Sequence, residues 1–203
     1  MSVHRGEYVL QEKYGTTKRA AAFYNKQMLN QLNDVMKEFI SEQAMMFIST
    51  ADSNGNCDSS FRAGTPGFVR VIDEKTLIYP EYKGNGVMAS LGNINENPHI
   101  GLMFIDFFEN QIGLHVNGKA SILENSQLIS LEISDEIMDE MIEKEGRKAE
   151  RWVVIEVDEA YIHCSKHIPR LKKLQKEIEW GTDDIKQKSG DFFKVKQDKR
   201  KEE

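Results

Sequence analysis

The chain has 203 residues, of which 30% are charged and 39% hydrophobic, and its formal net charge is −6. These values predict a globular protein with a sizeable core, and they argue against general nucleic-acid binding, which needs clustered Lys and Arg to neutralise phosphates. No apolar run approaches the roughly 18 residues that a membrane-spanning helix requires, so we expect no membrane segment.

The N-terminal part of the chain is predicted to be helical. Residues 1–10 lack the apolar core of a signal peptide. Across residues 16–43, apolar residues recur close to every 3.6 positions, as in an amphipathic helix. We therefore assign residues 1–43 to an N-terminal helical extension.

A series of short strands is expected from residue 44 onward. The apolar run AMMFIST and the turn-rich ADSNGNCD predict a strand that enters a hairpin, and SSFRAG is typical of the return strand. FVRVID and EKTLIYP follow as two short strands, and residues 86–95 are expected to form a short helix. The segments HIGLMFIDF and QIGLHVNGKASILE then predict two more strands.

The last third of the chain alternates between helix and strand. Residues 125–147 show helical spacing and acidic faces, with Gly146 as the C-terminal stop. RWVVIEVDEAYIHC predicts a further strand. SKHIPRLKKLQKEIEW, interrupted at Pro169, favours a helix, and we assign residues 171–203 to this helix and a charged tail.

The spacing of these elements indicates the fold class. Six or seven short strands with few helices between them favour an antiparallel barrel over an alternating α/β sheet. We predict a mainly β protein of the α+β type, with a barrel domain at residues 44–170 and a helical excursion at 125–147 inside it.

Cysteine usage indicates the cellular compartment. The two cysteines, Cys57 and Cys164, do not suggest a disulfide framework. We therefore expect a cytoplasmic protein with reduced thiols.

The loop that contains Lys83, Gly84, Asn85 and Gly86 has the composition of an anion site. Small residues after a strand let backbone N–H groups approach an anion, and the start of a following helix adds a partial positive charge. Lys83 would add a full charge, and Arg62, from an earlier strand, would add a bidentate partner for a phosphate. A plain surface turn, in which Asn and Gly adopt positive φ, explains the same residues.

Several motifs in a fixed order give this loop a context. The runs SFRAGTPGFV and GNGVMASLGNINENPHIGLMF, together with VNGKA, resemble the pyridoxamine 5'-phosphate oxidase-like family, the flavin-binding split barrels. The resemblance covers roughly residues 44–124, with a further match at YIHCSKHIPR. It implies a six-stranded split barrel that dimerises and holds FMN at the dimer interface.

The resemblance also implies which residues hold the flavin. The phosphate is expected between a strand and a later loop, and the flavin ring near a glutamine that enters a long strand. The cofactor-binding residues implied are Arg62, Ala63, Gly64 and Val69 from the first segment, Tyr79, Pro80, Lys83, Gly84 and Asn85 from the second, and Ser90 and Gln111 beyond them.

Two features depart from the family pattern. Many relatives carry an arginine or lysine after the Gly-Asn step, where this chain has Gly86, and we expect Lys83 to compensate for the missing cation. The pyridoxamine phosphate oxidases proper end in an arginine-and-histidine motif, which this chain lacks. The resemblance is therefore to the broader family and assigns no vitamin B6 substrate.

The segment HCSKH has three interpretations. His163 and His167 are four residues apart, which on a helix would suit a metal, but no acidic or sulfur ligand pairs with them in the sequence. The resemblance implies instead that the segment lines the flavin or substrate pocket, with His163 and Lys166 as polar groups for an anionic substrate or for the reduced flavin. A strand end followed by a helix is the third interpretation.

The leading hypothesis is an FMN-dependent oxidoreductase that works as a homodimer on an unidentified small molecule. The flavin carries the redox chemistry, so no protein nucleophile is required and no catalytic residue is assigned. Two alternatives stay open. One is a flavin-binding or flavin-sensing protein with little turnover, and the other is a relative that binds haem or a deazaflavin in the same groove.

Overall fold

The computed structural model describes residues 5–188 and 190–202. Residues 1–4 of the predicted N-terminal extension, and residues 189 and 203 of the predicted tail, lie outside this description. Within these described residues the chain forms six α-helices and one eight-stranded sheet.

The N-terminal region contains three helices, α1 (Arg5–Tyr14), α2 (Thr17–Gln27) and α3 (Asp34–Glu42). The prediction of one continuous helical stretch over residues 16–43 is wrong. The chain leaves α2 to form a two-residue strand that pairs with a later strand, Met28 opposite Tyr161. A new helix then starts at Asp34, and the side chain of the preceding N-cap residue, Asn33, accepts a hydrogen bond from the Met36 backbone N–H at 2.9 Å.

Eight antiparallel strands form one sheet. Their bounds are β1 (Met28–Leu29), β2 (Met45–Ala51), β3 (Cys57–Ala63), β4 (Arg70–Val71), β5 (Thr76–Tyr82), β6 (His99–Asp106), β7 (Ile112–Glu124) and β8 (Ala149–His163). The strand order is β3-β2-β6-β7-β8-β5-β4, and β1 pairs with β8. The path is open, with β3 and β4 as its ends.

The predicted mainly β fold of the α+β type is confirmed, and the strand count is a correction to it. The sheet has eight strands where six were predicted, because β1 and β4 add two pieces of only two residues each. The six longer strands are those expected of a split barrel. An open path also replaces the closed barrel that the spacing of the strands favoured.

Three further helices complete the fold, α4 (Ala89–Glu96), α5 (Asp135–Lys144) and α6 (Val195–Glu202). The predicted excursion at 125–147 is helical, as a 3-10 turn at Asn125–Ser130 followed by α5. The helix predicted from SKHIPRLKKLQKEIEW is wrong beyond a 3-10 turn at Ser165–His167. Residues 168–179 are irregular, and the Leu171 N–H in this range donates to the distant Phe107 carbonyl at 2.7 Å.

The core lies against the inner face of the sheet. Alternate residues of neighbouring strands point inward, for example Ile48 and Leu102, which are paired across β2 and β6 and are 1% exposed. Ile40 of α3 is also fully buried there. Each such aliphatic side chain contributes about 1.5–3 kcal/mol of burial free energy. None of the helices in the described ranges combines the length and apolar character needed to cross a membrane.

Candidate functional site

A pocket of about 600 Å³ opens where the end of β5 meets β3 and the start of α4. The chain turns from β5 into α4 through two residues with positive φ, Gly86 (82°) and Met88 (55°). A side chain at Gly84 or Gly86 would meet no atom within 4 Å, so the backbone of this loop borders open space. The volume lies within the range of about 300–1,000 Å³ that small-molecule sites occupy.

The pocket brings together most of the residues expected at a phosphate. One wall comes from β3, another from the end of β5 and the loop after it, although β3 and the loop are about twenty residues apart in sequence. The predicted residues that line the pocket are Arg62, Ala63, Pro80, Lys83, Gly84, Asn85 and Ser90.

Arg62 is held in place by a carboxylate inside the pocket. Its Nε lies 2.8 Å from Glu81 Oε1, and its Nη1 donates to the Phe61 carbonyl at 3.2 Å. Glu81 is 8% exposed, so this ion pair is largely shielded from water. The pair orients the guanidinium, and it also neutralises part of the charge that a phosphate would use.

Lys83 contacts the C-terminal segment of the chain. Its Nζ lies 2.9 Å from Asp183 Oδ2, and the other oxygen of Asp183 lies 2.8 Å from Lys188 Nζ. Hydrogen bonds from these two ammonium groups lower the pKa of Asp183 to about 2, and the same contact with Asp183 raises the pKa of Lys83. The ammonium that faces the pocket therefore already has a partner from its own chain.

Ser90 belongs to a small acidic corner of the pocket. Its hydroxyl lies 2.9 Å from Asp58 Oδ2 and 3.1 Å from Ser60 Oγ, and Ser60 donates to the same Asp58 oxygen at 3.0 Å. Ser90 is 4% exposed. Because a hydroxyl has one hydrogen, a Ser90 bonded to Asp58 has no donor left for an anion.

The structure also shows lining residues that the motifs did not reveal. Tyr82 donates to Glu145 Oε2 at 2.6 Å, and burial together with that carboxylate raises its pKa. The described lining carries three carboxylates and three cations. The carboxylates are Asp58, Glu81 and Glu150, and the cations are Arg62, Lys83 and Arg151. The motifs give no signal for Glu81, which lies between two other lining residues, Pro80 and Tyr82, at the end of β5.

Four of the predicted cofactor residues lie outside the pocket. Tyr79 and Val69 are buried in the core, and the Tyr79 hydroxyl has no hydrogen-bond partner among the described residues. Gly64 packs so closely on Phe68 that a side chain would approach its Cβ to 2.5 Å. Gln111 lies in the β6–β7 turn with φ of 47° and donates to the Glu109 carbonyl.

The predicted substrate residues lie at the end of β8, where His163 is on the outer face of the sheet, and in the turn that follows. His163 ends β8, and its Nδ1 lies 2.9 Å from His115 Nε2. Lys166 is exposed in the 3-10 turn that follows. Because His163 is in a strand, it does not share a helical face with His167. His115 is a residue that the motifs missed, although its outward position follows from alternation along β7.

An open antiparallel sheet of this strand order, with a polar pocket at the end of β5, has the architecture of a split barrel. The sequence model described as pyridoxamine 5'-phosphate oxidase matches residues 32–164. Because the match spans more than half of the chain, the protein belongs to the pyridoxamine 5'-phosphate oxidase family. No curated protein matches the chain.

Solved structures show a more distant likeness. HupZ of Group A Streptococcus is 21% identical over 64% of this chain and 93% of that chain, with a TM-score of 0.47. An FMN-binding protein from Syntrophomonas wolfei is 14% identical over 78% and 97%, with a TM-score of 0.44. HutZ, the heme storage protein of Vibrio cholerae, is 16% identical over 63% and 89%, with a TM-score of 0.42. Likeness at this level is too distant to carry a function.

Proposed function

We propose that the protein is an FMN-dependent oxidoreductase whose pocket holds the flavin phosphate between β3 and the loop after β5. The observation that carries the proposal is that Arg62, from one segment, and Lys83 and Asn85, from the other, line the same pocket. A guanidinium, an ammonium and accessible backbone amides are the donors that a phosphate dianion needs.

The pocket suits the proposed cofactor in size and in donors. The cations are partly neutralised by Glu81 and Asp183, so the site is polar without being strongly positive. Bound FMN would supply the transfer of electrons or hydride. The chain's own residues would anchor its phosphate and orient the ring, with Arg62, Lys83, Gly84 and Asn85 at the phosphate end.

We also propose that the protein works as a homodimer. A row of aromatic and apolar side chains crosses the outer face of the sheet in direct register, from Phe61 through Phe47, Met103 and His115 to Tyr161. Phe61 is 54% exposed and the other four are half-buried. A contiguous apolar strip on a sheet face is typical of a protein–protein contact.

The dimer gives the predicted substrate residues a role. His163 and Lys166 lie away from the pocket of their own chain, at the end of β8. We propose that a second copy brings them toward the flavin, where they would face an anionic substrate. A cytoplasmic location, with Cys57 and Cys164 reduced, is part of the same proposal.

The lining favours flavin over haem among the alternatives. Haem iron is usually held by His, Cys, Met or Tyr; of these, the described lining holds Met88 and Tyr82, and the Tyr82 hydroxyl already donates to Glu145. A second candidate function is flavin binding without turnover, because acid–base groups of the described lining are already engaged within the chain, Glu81 by Arg62 and Lys83 by Asp183.

The visible spectrum of the purified protein tests the proposal. We expect flavin absorbance, or stoichiometric uptake of added FMN, and then turnover with reduced nicotinamide and an electron acceptor. FMN uptake without turnover would favour the binding protein, and a Soret band would favour haem. A colourless protein that takes up no FMN would refute the flavin proposal.

A further inference from the structure

The C-terminal segment of the chain is seated on the rim of the pocket. The ring of Trp180 packs against the ring of Tyr82, which lines the pocket, with centroids 6.0 Å apart and planes inclined by 31°. Gly181 follows with φ of 74°, and a side chain there would lie 2.9 Å from the Lys148 carbonyl oxygen. We call residues 180–188 the C-terminal strap.

The C-terminal strap places the carboxylate of Asp183 against Lys83, which lines the pocket. Asp183 contacts Lys83 at 2.9 Å and is itself held by Lys188 at 2.8 Å, within the strap. Lys83 and Asp183 are both about half exposed, 49% and 52%. An ion pair at this exposure is weak, so a stronger anion can displace it at a small cost in free energy.

We propose that Asp183 competes with the anionic ligand of the pocket for Lys83, so that the C-terminal strap sets how tightly the pocket holds a phosphate. The carboxylate cancels the lysine charge and repels an approaching dianion. The inference rests on the proposed function only for the identity of that anion as FMN; the competition itself applies to any phosphate.

An alternative role for the contact is to fasten the C-terminal strap to the body of the protein and nothing more. The two roles predict different results when Asp183 loses its charge. If Asp183 competes with the phosphate, removing its charge lets the phosphate bind more tightly. If Asp183 only holds the C-terminal strap in place, removing its charge loosens the strap and does not raise the affinity for phosphate.

The test follows anion binding at Lys83 in the full-length protein. Acetylation of Lys83 is measured by mass spectrometry at rising concentrations of inorganic pyrophosphate, beside an FMN titration followed by fluorescence. The variants are wild type, Asp183→Asn and the matched control Asp184→Asn, whose carboxylate accepts a bond from the Lys186 backbone. For Asp183→Asn we expect pyrophosphate to protect Lys83, and FMN to bind, at about fivefold lower concentration. Asp184→Asn should match wild type.

A second variant moves the C-terminal strap without changing any charge. Gly181→Ala cannot keep the φ of 74° or the close approach to Lys148. The variant should therefore lower the pyrophosphate concentration that protects Lys83, as Asp183→Asn does. Protection that is unchanged or weaker in Asp183→Asn would overturn the inference.

The failures of the two proposals are distinguishable. If wild type binds no FMN but pyrophosphate protects Lys83, the flavin proposal fails and Asp183→Asn still decides the competition. If pyrophosphate protects Lys83 in none of the variants, there is no anion site at Lys83 and the competition is refuted.

Discussion

Arg62 is the residue on which the proposed phosphate site depends most. Its substitution by alanine removes a charged donor from the pocket and also leaves Glu81, 8% exposed, without its partner at 2.8 Å. We expect Arg62→Ala to weaken FMN binding by about 1.5 kcal/mol or more, the value of a charge-assisted hydrogen bond. Titration of FMN by fluorescence quenching measures this directly.

The unpaired carboxylate needs a control of its own. Arg62→Ala combined with Glu81→Gln removes the arginine without leaving a buried charge behind. FMN affinity should stay low in the double variant if Arg62 contacts the phosphate. Recovery of wild-type affinity would mean that Arg62 only compensates Glu81.

His115 is expected to make stability depend on pH on the acid side. Burial, and repulsion from His163 at 2.9 Å, lower the pKa of His115 from 6.5. The unfolded chain therefore binds a proton more readily than the folded one. The contribution of His115 to the free energy of unfolding is fully present above pH 6.5. It is lost as the pH falls through the lower pKa of His115 in the folded protein.

Thermal unfolding of wild type and His115→Gln between pH 5 and 8 checks this expectation. The melting temperature of wild type should fall more steeply toward pH 5 than that of His115→Gln. His99→Gln serves as the matched control, because His99 is exposed at the start of β6 and should leave the wild-type slope unchanged. Equal slopes for wild type and His115→Gln would contradict the assignment.

At the scale of single elements, two glycines allow a crowded strand position to be compared with an open helix position. Gly118 lies at a register shift between β7 and β8, where an added Cβ would come within 2.1 Å of the Glu156 carbonyl oxygen. We expect Gly118→Ala to lower the free energy of unfolding by about 3 kcal/mol, since the backbone of β8 must move. Gly92, inside α4, meets nothing within 4 Å, so Gly92→Ala should stabilise by about 0.5–1 kcal/mol.

Urea unfolding of the two glycine variants measures both changes against wild type. The pair is informative because the chemical change is the same and the surroundings differ. A loss below about 1 kcal/mol in Gly118→Ala would mean that the β7–β8 contact relaxes easily.

Local patterns were sufficient for the elements that carry their own periodicity. The six long strands were predicted to within two residues of their observed ends, because alternation and turn residues define them. Strand β1 was not predicted, and the irregular residues 168–179 were predicted as a helix. Their backbone partners are distant, Tyr161 for Met28 and Phe107 for Leu171, and the apolar spacing of the intervening sequence imitates a helix.

At the scale of the whole molecule, the sequence predicted one part of the site better than the other. The motif residues Arg62 and Lys83 could be placed near each other because the family resemblance fixes the order of the strands. The carboxylates that face them could not. Glu81 reaches Arg62 from the end of β5, and Asp183 reaches Lys83 from the C-terminal strap; the motifs marked neither residue as a partner of these cations.

The apolar row on the outer face of the sheet is the proposed dimer interface. Met103 lies at the centre of the apolar row on the outer face, paired in register with Phe47 on one side and His115 on the other. Met103→Lys would place a charge inside the proposed interface, where burial without a partner costs several kcal/mol. We expect the wild type to sediment as a dimer and Met103→Lys as a monomer with weakened FMN binding. Ile142→Lys, at an exposed apolar position of α5, is the matched control and should remain dimeric. A wild-type monomer that holds FMN tightly would contradict a pocket shared between two copies.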